Sequence, residues 1–259
     1  MTHVITRLAG ACVAICVAFA GRPIETTPQV TREIRIDVAD FPRPLSAALL
    51  QVERNFGRVV TYEDGSSVAP GDIVDETAQV RRNGKTSPRV LGIRRDSISL
   101  AYAPTEASVE AQVEEVLAKL LAKWNGPSHS GEFRVEKVVG GYHVIPVARK
   151  GLSGNAEPYT SPLDTRITIA KEERHLGETM SVVAKAISDS SGREIDVAPR
   201  MLRRLYEARV VLGAENQVAR EILWKALHTI DPALSWQLLC EVGENSMCTV
   251  NVYRVEGGA

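Results

Sequence analysis

The hydrophobic positions of the chain follow one pattern that occurs twice. In each copy, a short run that alternates apolar and polar residues is followed by a stretch with apolar residues three or four positions apart. Alternation is typical of a strand with one buried face, and the wider spacing is typical of an amphipathic helix. Apolar residues of the first copy have apolar counterparts 131 positions further on: Ile36, Val38, Leu45, Leu49, Val52 and Phe56 correspond to Ile167, Ile169, Leu176, Met180, Val183 and Ile187.

The similarity continues beyond these helices. A glycine and an aliphatic strand follow in both copies, then a second strand-like run, a second helix and a hairpin. The common order is therefore strand, helix, strand, strand, helix, hairpin. The matched segments are "GRVVTY" from Gly57 and "GREIDV" from Gly192, "ISLAY" from Ile98 and "ARVVL" from Ala208, and "VLAKLL" from Val116 and "ILWKAL" from Ile222.

This order predicts an α+β fold made of two tandem small modules. In each module, two helices cover a small mixed β-sheet. The first module spans residues 31–149 and contains a long loop at residues 63–97. Residues 150–162 have the composition of a linker, and the second module spans residues 163–255.

The first copy resembles the secretin and TonB N-terminal short domain. The resemblance lies in "IRIDVADFPRPLSAALLQVERNFGRVVTYED", then in "VEEVLAKLLAKW" and "FRVEKVVGGYHVIPV". It covers residues 32–148 and, more weakly, residues 163–255, where the proline before Leu176 is missing. The family domain is shorter than this first copy. The resemblance implies a small periplasmic module that docks to other proteins.

The N-terminus predicts a secretory signal peptide at residues 1–20. A basic segment, "MTHVITR", precedes an apolar run of thirteen residues that ends in Ala18-Phe19-Ala20, a typical cleavage site. A membrane anchor is the alternative, but a span needs about 20 apolar residues. No second apolar segment of that length follows, so we expect no transmembrane span in the mature chain. Cleavage after Ala20 predicts a periplasmic or secreted protein.

Overall charge argues against a polyanionic partner. The chain has 31 basic and 32 acidic residues, a formal net charge of -1. Nucleic-acid-binding proteins usually carry a basic surface patch, and none is visible here. The hydrophobic content of 44% predicts a globular protein.

Signal cleavage would remove Cys12 and Cys16 and leave two cysteines, Cys240 and Cys248. They lie symmetrically about Glu244, so a hairpin that turns there places them opposite one another on the core side of the sheet. An oxidising compartment favours a disulfide between them. Two buried free thiols are the alternative, because bonding depends on the spacing of the strands.

The sequence contains no motif for catalysis or metal binding. There is no G-x-S-x-G nucleophile elbow, and the histidines of the mature chain fall in separate elements. Zinc ligands usually come in close pairs, and the nearest approach is Glu173 with His175. We therefore predict no catalytic, cofactor or metal residues. The histidines are His129, His143, His175 and His228.

The loop at residues 63–97 is rich in acidic residues, which raises the possibility of a calcium site. The alternating carboxylates and the sixth-position glycine of an EF-hand are absent, so an ordinary polar insertion is favoured. Long loops are usually functional or disordered, and both alternatives stay open for this one. The segment "RRNGKTSPR" is polar enough to be mobile. The acidic residues are Glu63, Asp64, Asp72, Asp75 and Glu76.

The segment "VVGGYHVIPVA" predicts the terminal hairpin of the first module. Gly140-Gly141 is expected to form its two-residue turn. That register places Val138 opposite His143, and the alternation of side chains then points His143 outward, alongside Arg134 and Glu136. The histidine is therefore interpreted as a surface residue.

Three functions are compatible with this sequence. The favoured hypothesis is an exported, non-enzymatic binding or adaptor protein of the cell envelope that contacts a protein partner of unknown identity. The second is a small-ligand binder or enzyme with a site at the junction of the modules or under the 63–97 loop, since clefts between domains often bind ligands. The third is a structural element that dimerises through an exposed strand edge.

Overall fold

The computed structural model describes residues 33–65, 69–80, 89–126, 129, 131–198, 207–243 and 246–257. The predicted signal peptide, most of "RRNGKTSPR" and the tip of the cysteine hairpin lie outside the described residues. The described chain combines helices and strands in mixed sheets, which confirms the predicted α+β class. Among the helices of the described chain, none is long and apolar enough to cross a membrane.

The N-terminal half, residues 33–150, contains most of the predicted elements of the first copy. Its strands and helices are β1 (Ile34–Phe41), α1 (Pro44–Phe56), β2 (Val59–Glu63), β3 (Ile73–Asp75), α2 (Thr77–Val80), β4 (Leu91–Ile93), β5 (Asp96–Tyr102), α3 (Val109–Trp124), β6 (Gly131–Val138) and β7 (Gly141–Lys150).

The C-terminal half, residues 151–257, has a similar series. Its elements are β8 (Ala156–Pro158), β9 (Arg166–His175), α4 (Leu176–Ser191), β10 (Ile195–Val197), β11 (Arg209–Val218), α5 (Ala219–Ile230), β12 (Leu234–Cys240) and β13 (Cys248–Arg254).

Corresponding strands pair in the same way in the two halves. The first strand is antiparallel to the strand before the second helix, as β1 is to β5 and β9 to β11. The short strand after the first helix is parallel to the last strand of the hairpin, as β2 is to β7 and β10 to β13. Each half also has its own apolar core. Helix ends agree too, since α1 and α4 both stop at a left-handed glycine, Gly57 and Gly192.

The main sheet runs through both halves in the order β10-β13-β12-β2-β7-β6, and β8 adds to β7. The halves join where β12 lies parallel to β2, with Leu238 opposite Glu63. Beyond that pair, the Asp64 amide donates a 2.8 Å hydrogen bond to the Leu238 carbonyl. The described residues form one compact unit. The division into two modules with a linker at 150–162 stays a prediction.

The β6-β7 hairpin differs from its prediction by one residue. Its turn is Val139-Gly140, so Glu136, not Val138, lies opposite His143. The prediction that His143 points outward is wrong, because the side chain is only 3% exposed. It does share a face with Glu136, as expected, but α5 of the other half covers that face where His143 lies. Val139 lies in the turn and is exposed.

The 63–97 loop folds in part into a small antiparallel hairpin of β3 and β4, with Ile73 opposite Ile93. Residues 66–68 and 81–88 of the loop lie outside the described chain. Four of its acidic residues have an arginine partner and so do not converge on one point. The pairs are Glu63 with Arg220, Asp64 with Arg43, Asp72 with Arg94, and Asp75 with Arg89.

The β12-β13 hairpin brings Cys240 directly opposite Cys248, as predicted. Their Sγ atoms lie 2.01 Å apart, which is a disulfide. Both side chains are buried in the C-terminal core. The bond closes a short loop in the unfolded chain, and loops of that size correspond to a stabilisation of about 2.5 kcal/mol.

We therefore expect the double variant Cys240→Ala, Cys248→Ala to lose about 2.5 kcal/mol of unfolding free energy. Urea unfolding followed by circular dichroism measures the loss. A reductant should destabilise the unmodified protein by a similar amount and leave the double variant unchanged. A loss below about 0.5 kcal/mol in both comparisons would contradict a structural disulfide.

Candidate functional site

The junction is the region where each half covers the sheet of the other. Helix α5 of the C-terminal half packs on β2 and β7, and helix α1 of the N-terminal half packs on β12. Trp224 from α5 contacts His143 of β7, and Ser46 from α1 donates a 2.8 Å hydrogen bond to Gln237 of β12. Ionisable side chains that are rare in protein interiors concentrate here. We therefore treat the junction as the candidate site.

A buried ion pair lies at the centre of the junction. Glu63, at the end of β2, is fully buried, and Arg220, in the first turn of α5, is 5% exposed. The guanidinium donates through Nε and Nη2 to both carboxylate oxygens, the second at 2.9 Å. The Ser161 hydroxyl donates to the same carboxylate, and Arg220 Nη1 lies 2.8 Å from Asp164. Bidentate arginine-carboxylate pairs of this kind are geometrically specific.

The surroundings of Arg220 keep its charge. Burial acts to lower the pKa of the guanidinium, but the hydrogen bond and charge of Glu63, together with Asp164, outweigh burial and raise it. Both carboxylate oxygens of Glu63 and three guanidinium nitrogens have partners. The network therefore fastens the two halves together and has no free group to bind or attack a substrate.

His143 lies beside this ion pair, against aromatic rings of the C-terminal half. Its Nδ1 is 2.6 Å from the Thr61 hydroxyl, and its ring meets Trp224 edge-on at 4.9 Å between centroids. Trp236 lies on another side, at 6.0 Å. Burial, with the charges of Arg220 and His228, lowers the pKa of His143 to about 3. The imidazole is therefore neutral at physiological pH.

Of the four histidines considered in the sequence, the structure brings two together, His143 and His228. His228 stacks on Trp224 at 3.6 Å, on the same indole that His143 contacts, and burial lowers its pKa. His129 lies apart, stacked on Trp124. His175 precedes α4, and its Nδ1 lies 2.9 Å from a backbone carbonyl. His143 does contact a side-chain hydroxyl, but that hydroxyl, of Thr61, is fully buried. In the described ranges, no group of three or more His, Cys, Asp or Glu side chains is placed to hold a metal ion.

A groove opens at the junction on the opposite face of the sheet. It lies between α1 and the strands β12 and β13 and has a volume of about 470 Å³. Helix α1 covers β12, where Gln237 exchanges hydrogen bonds with Ser46, and leaves part of β13 open. Apolar and polar side chains alternate around the groove. They include Leu50, Glu53, Arg54, Leu239, Asn251 and Tyr253.

Glu53 forms the base of this groove and is 2% exposed. Its carboxyl accepts 2.8 Å and 2.9 Å hydrogen bonds from the Val60 amide and the Tyr253 hydroxyl. Burial raises its pKa to about 7, although Ser235, Val60, Tyr253 and Arg54 all act to lower it. A buried acid that titrates near neutral pH beside a groove is a feature of many functional sites. Glu53 is not among the residues to which the sequence motifs point.

Comparison with known proteins identifies no relative of this chain. No protein-family model matches the chain, and comparison with curated proteins and with solved structures gives no significant match. The candidate site therefore has to be interpreted from its own geometry.

Proposed function

We propose that this protein is an exported, non-enzymatic binding protein of the cell envelope that holds a partner protein. The proposal rests on one observation, the contrast between the buried junction of the protein and the edges of its main sheet. The Glu63 carboxylate and the Arg220 guanidinium at the junction are paired with one another. The open features are instead strand edges and a groove, which suit the binding of another chain.

Two features of the sequence support the envelope location. Residues 1–20 have the basic segment, apolar run and cleavage site of a signal peptide. The resemblance of residues 32–148 to the secretin and TonB N-terminal short domain points the same way, since those domains dock to other envelope proteins.

Strand edges offer the binding groups. Among the described strands, β6 is the outermost at one end of the main sheet and pairs only with β7. At the other end, β10 covers only the first three residues of β13. Unpaired backbone amides and carbonyls at such edges can accept a further strand from a partner.

Co-purification from the native envelope tests the proposal. Tagged protein is expressed with its own signal peptide, crosslinked in intact cells and purified. We expect one protein to be recovered in stoichiometric amount, and we expect it to be absent when residues 1–20 are deleted and the protein is retained in the cytoplasm. Repeated recovery of the protein alone would count against the proposal.

The groove volume supports a second candidate function. About 470 Å³ falls in the size range of small-molecule sites. Native mass spectrometry of protein purified from the envelope distinguishes the two functions. A bound small molecule of constant mass would favour the ligand binder, and a bare mass with a protein partner in the co-purification would favour the adaptor.

A further inference from the structure

Strand β13 extends beyond its neighbour. β10 pairs with Cys248–Val250, and in the described part of the chain no strand lies beside Asn251–Arg254 on that side. On the other side, β12 pairs with β13 along its whole length. Within the described residues, the second half of β13 is therefore an open edge that continues the line of β10.

Hydrogen bonds show which backbone groups face the open edge. The Val255 amide donates to Ala233, on the β12 side, so odd-numbered residues of β13 point their backbone groups toward β12. Even-numbered residues point the other way, since the Cys248 amide and the Val250 carbonyl bond to the β10 segment. By the same alternation, the amides and carbonyls of Val252 and Arg254 face the open edge.

The groove lies next to this edge. Asn251 and Tyr253 line it from β13, and α1 supplies Leu50 and Arg54 from the opposite wall. Asn251 is half-buried. Arg54 is exposed, and its charge acts on the Glu53 carboxyl of the same helix. A strand added beside β13 would place alternate side chains over this wall.

The β6 edge is different, because its charges discourage pairing. Arg134 and Glu136 form an ion pair along the strand, and Lys137 pairs with Glu114 of α3. Charged side chains are a common protection of edge strands. On β13, the one charged residue of the open segment is Arg254, which is already paired with Asp231 at 2.8 Å. The β13 edge is therefore the better docking surface.

We propose that the β13 edge and the adjoining groove bind an extended segment of a partner protein, which continues β10 and places an apolar side chain in the groove and an acidic residue beside Arg54. The backbone of the segment bonds to Val252 and Arg254, and its side-chain pattern supplies specificity. This inference rests on the proposed function, because it names where and how the partner docks.

Hydrogen exchange at single amides tests this directly. The probe is a seven-residue peptide of alternating valine and threonine that ends in aspartate, added at millimolar concentration and followed by NMR. We expect exchange of the Val252 and Arg254 amides to slow by about tenfold or more. The Asn251 and Tyr253 amides face β12 and serve as internal controls, so their exchange should not change. Protection at β6 instead, or no protection anywhere, would overturn the inference.

A matched pair of variants tests the acidic residue. Arg54→Gln should weaken binding of the same probe by about fivefold, since an exposed ion pair contributes up to about 1 kcal/mol. Arg134→Gln on β6 is the control and should bind as the unmodified protein does. Fluorescence anisotropy of the labelled probe measures both. Equal weakening by the two variants would mean that only overall charge matters, which contradicts the proposed site.

Co-purification of the envelope partner with a Val252→Pro variant distinguishes an error in this docking site from an error in the proposed function. If Val252→Pro, which removes an edge-facing amide, still co-purifies with the partner and keeps its thermal stability, the docking site is wrong and the function stands. If no partner is recovered but the probe protects Val252 and Arg254, the site stands and the envelope adaptor role fails. Loss of the partner in a stably folded Val252→Pro variant supports both.

Discussion

Arg220→Met should destabilise the protein by about 3 to 5 kcal/mol, the usual consequence of leaving a buried carboxylate without its partner. Glu63 is fully buried, and removal of the guanidinium takes away both of its charged hydrogen bonds and leaves only Ser161. Urea unfolding at pH 7 measures the loss. We expect the loss to lower the stability of both halves, since the pair connects β2 to α5 in the unmodified protein.

Two control variants sharpen this experiment. Arg209→Met removes a surface arginine whose partner Glu173 is also exposed, so it should cost less than about 1 kcal/mol. The double variant Arg220→Met, Glu63→Leu removes both buried charges and should recover much of the lost stability. Similar losses for Arg220→Met and Arg209→Met would show that the Glu63-Arg220 pair does not hold the junction.

Glu53→Gln should change how stability depends on pH. The folded pKa of about 7 lies above the unfolded value of 4.5, since burial disfavours the carboxylate. A raised pKa gives stability that is complete below pH 4.5 and is lost as the pH rises through 7. The difference between these values corresponds to about 3 kcal/mol. The unmodified protein should therefore gain about 3 kcal/mol relative to Glu53→Gln between pH 8 and pH 4.5.

The contribution of His143 to stability changes with pH in the opposite direction, over nearly the same pH range. Its folded pKa of about 3 lies below the unfolded value of 6.5, so its contribution is complete above pH 6.5 and is lost as the pH falls through 3. Between pH 6.5 and 4.5 the two effects nearly cancel. As the pH is lowered through that interval, the His143 contribution to the stability of Glu53→Gln should therefore fall by about 1.4 kcal/mol per pH unit, whereas in the unmodified protein Glu53 offsets this loss.

Urea unfolding at half-unit steps from pH 4.5 to 8 measures both curves. Subtraction of the variant from the unmodified protein removes the contributions of all other groups. Glu33→Gln, at an exposed position, is the control for the loss of a surface carboxylate. A difference for Glu53→Gln that does not change with pH would show that the Glu53 carboxyl titrates as it does in the unfolded chain.

Local periodicity was enough to predict the longer helices of this fold. The apolar spacing in "PLSAALLQVERNF" and in "VEEVLAKLLAKW" predicts helices because a buried stripe on a helix repeats every three to four residues, and α1 and α3 lie there. The position of the cysteine hairpin followed from symmetry about Glu244, which fixed Cys240 opposite Cys248. These features depend on neighbouring residues alone.

The side of the sheet that His143 faces depends on a distant segment. Alternation along β7 separates the two faces, but it does not tell which of them is covered. The face with His143 is buried because Trp224, eighty-one residues further on, packs against it. An alternating strand predicts one buried face, and here a second layer of structure covers both.

The buried charges lie at sequence positions where a charged residue is unusual. Glu53 follows Val52 directly within the apolar stripe of α1, and Arg220 lies between Ala219 and Ile222 at the start of α5. Charged residues at such positions are rarely buried unless they are paired. Such a position is unusual, but it does not identify the residue that pairs with the charge, because Glu63 is 157 residues from Arg220.

Because β12 pairs with β2, each half of the chain covers a surface of the other half. A chain cut within residues 151–160 would yield two fragments, one with Glu63 at an uncovered strand and one with Arg220 on an uncovered helix face. Each fragment would offer the edge and the charge that the other lacks. If the two halves fold as the predicted modules, the fragments should bind one another again, and that binding would report the pairing of β12 with β2.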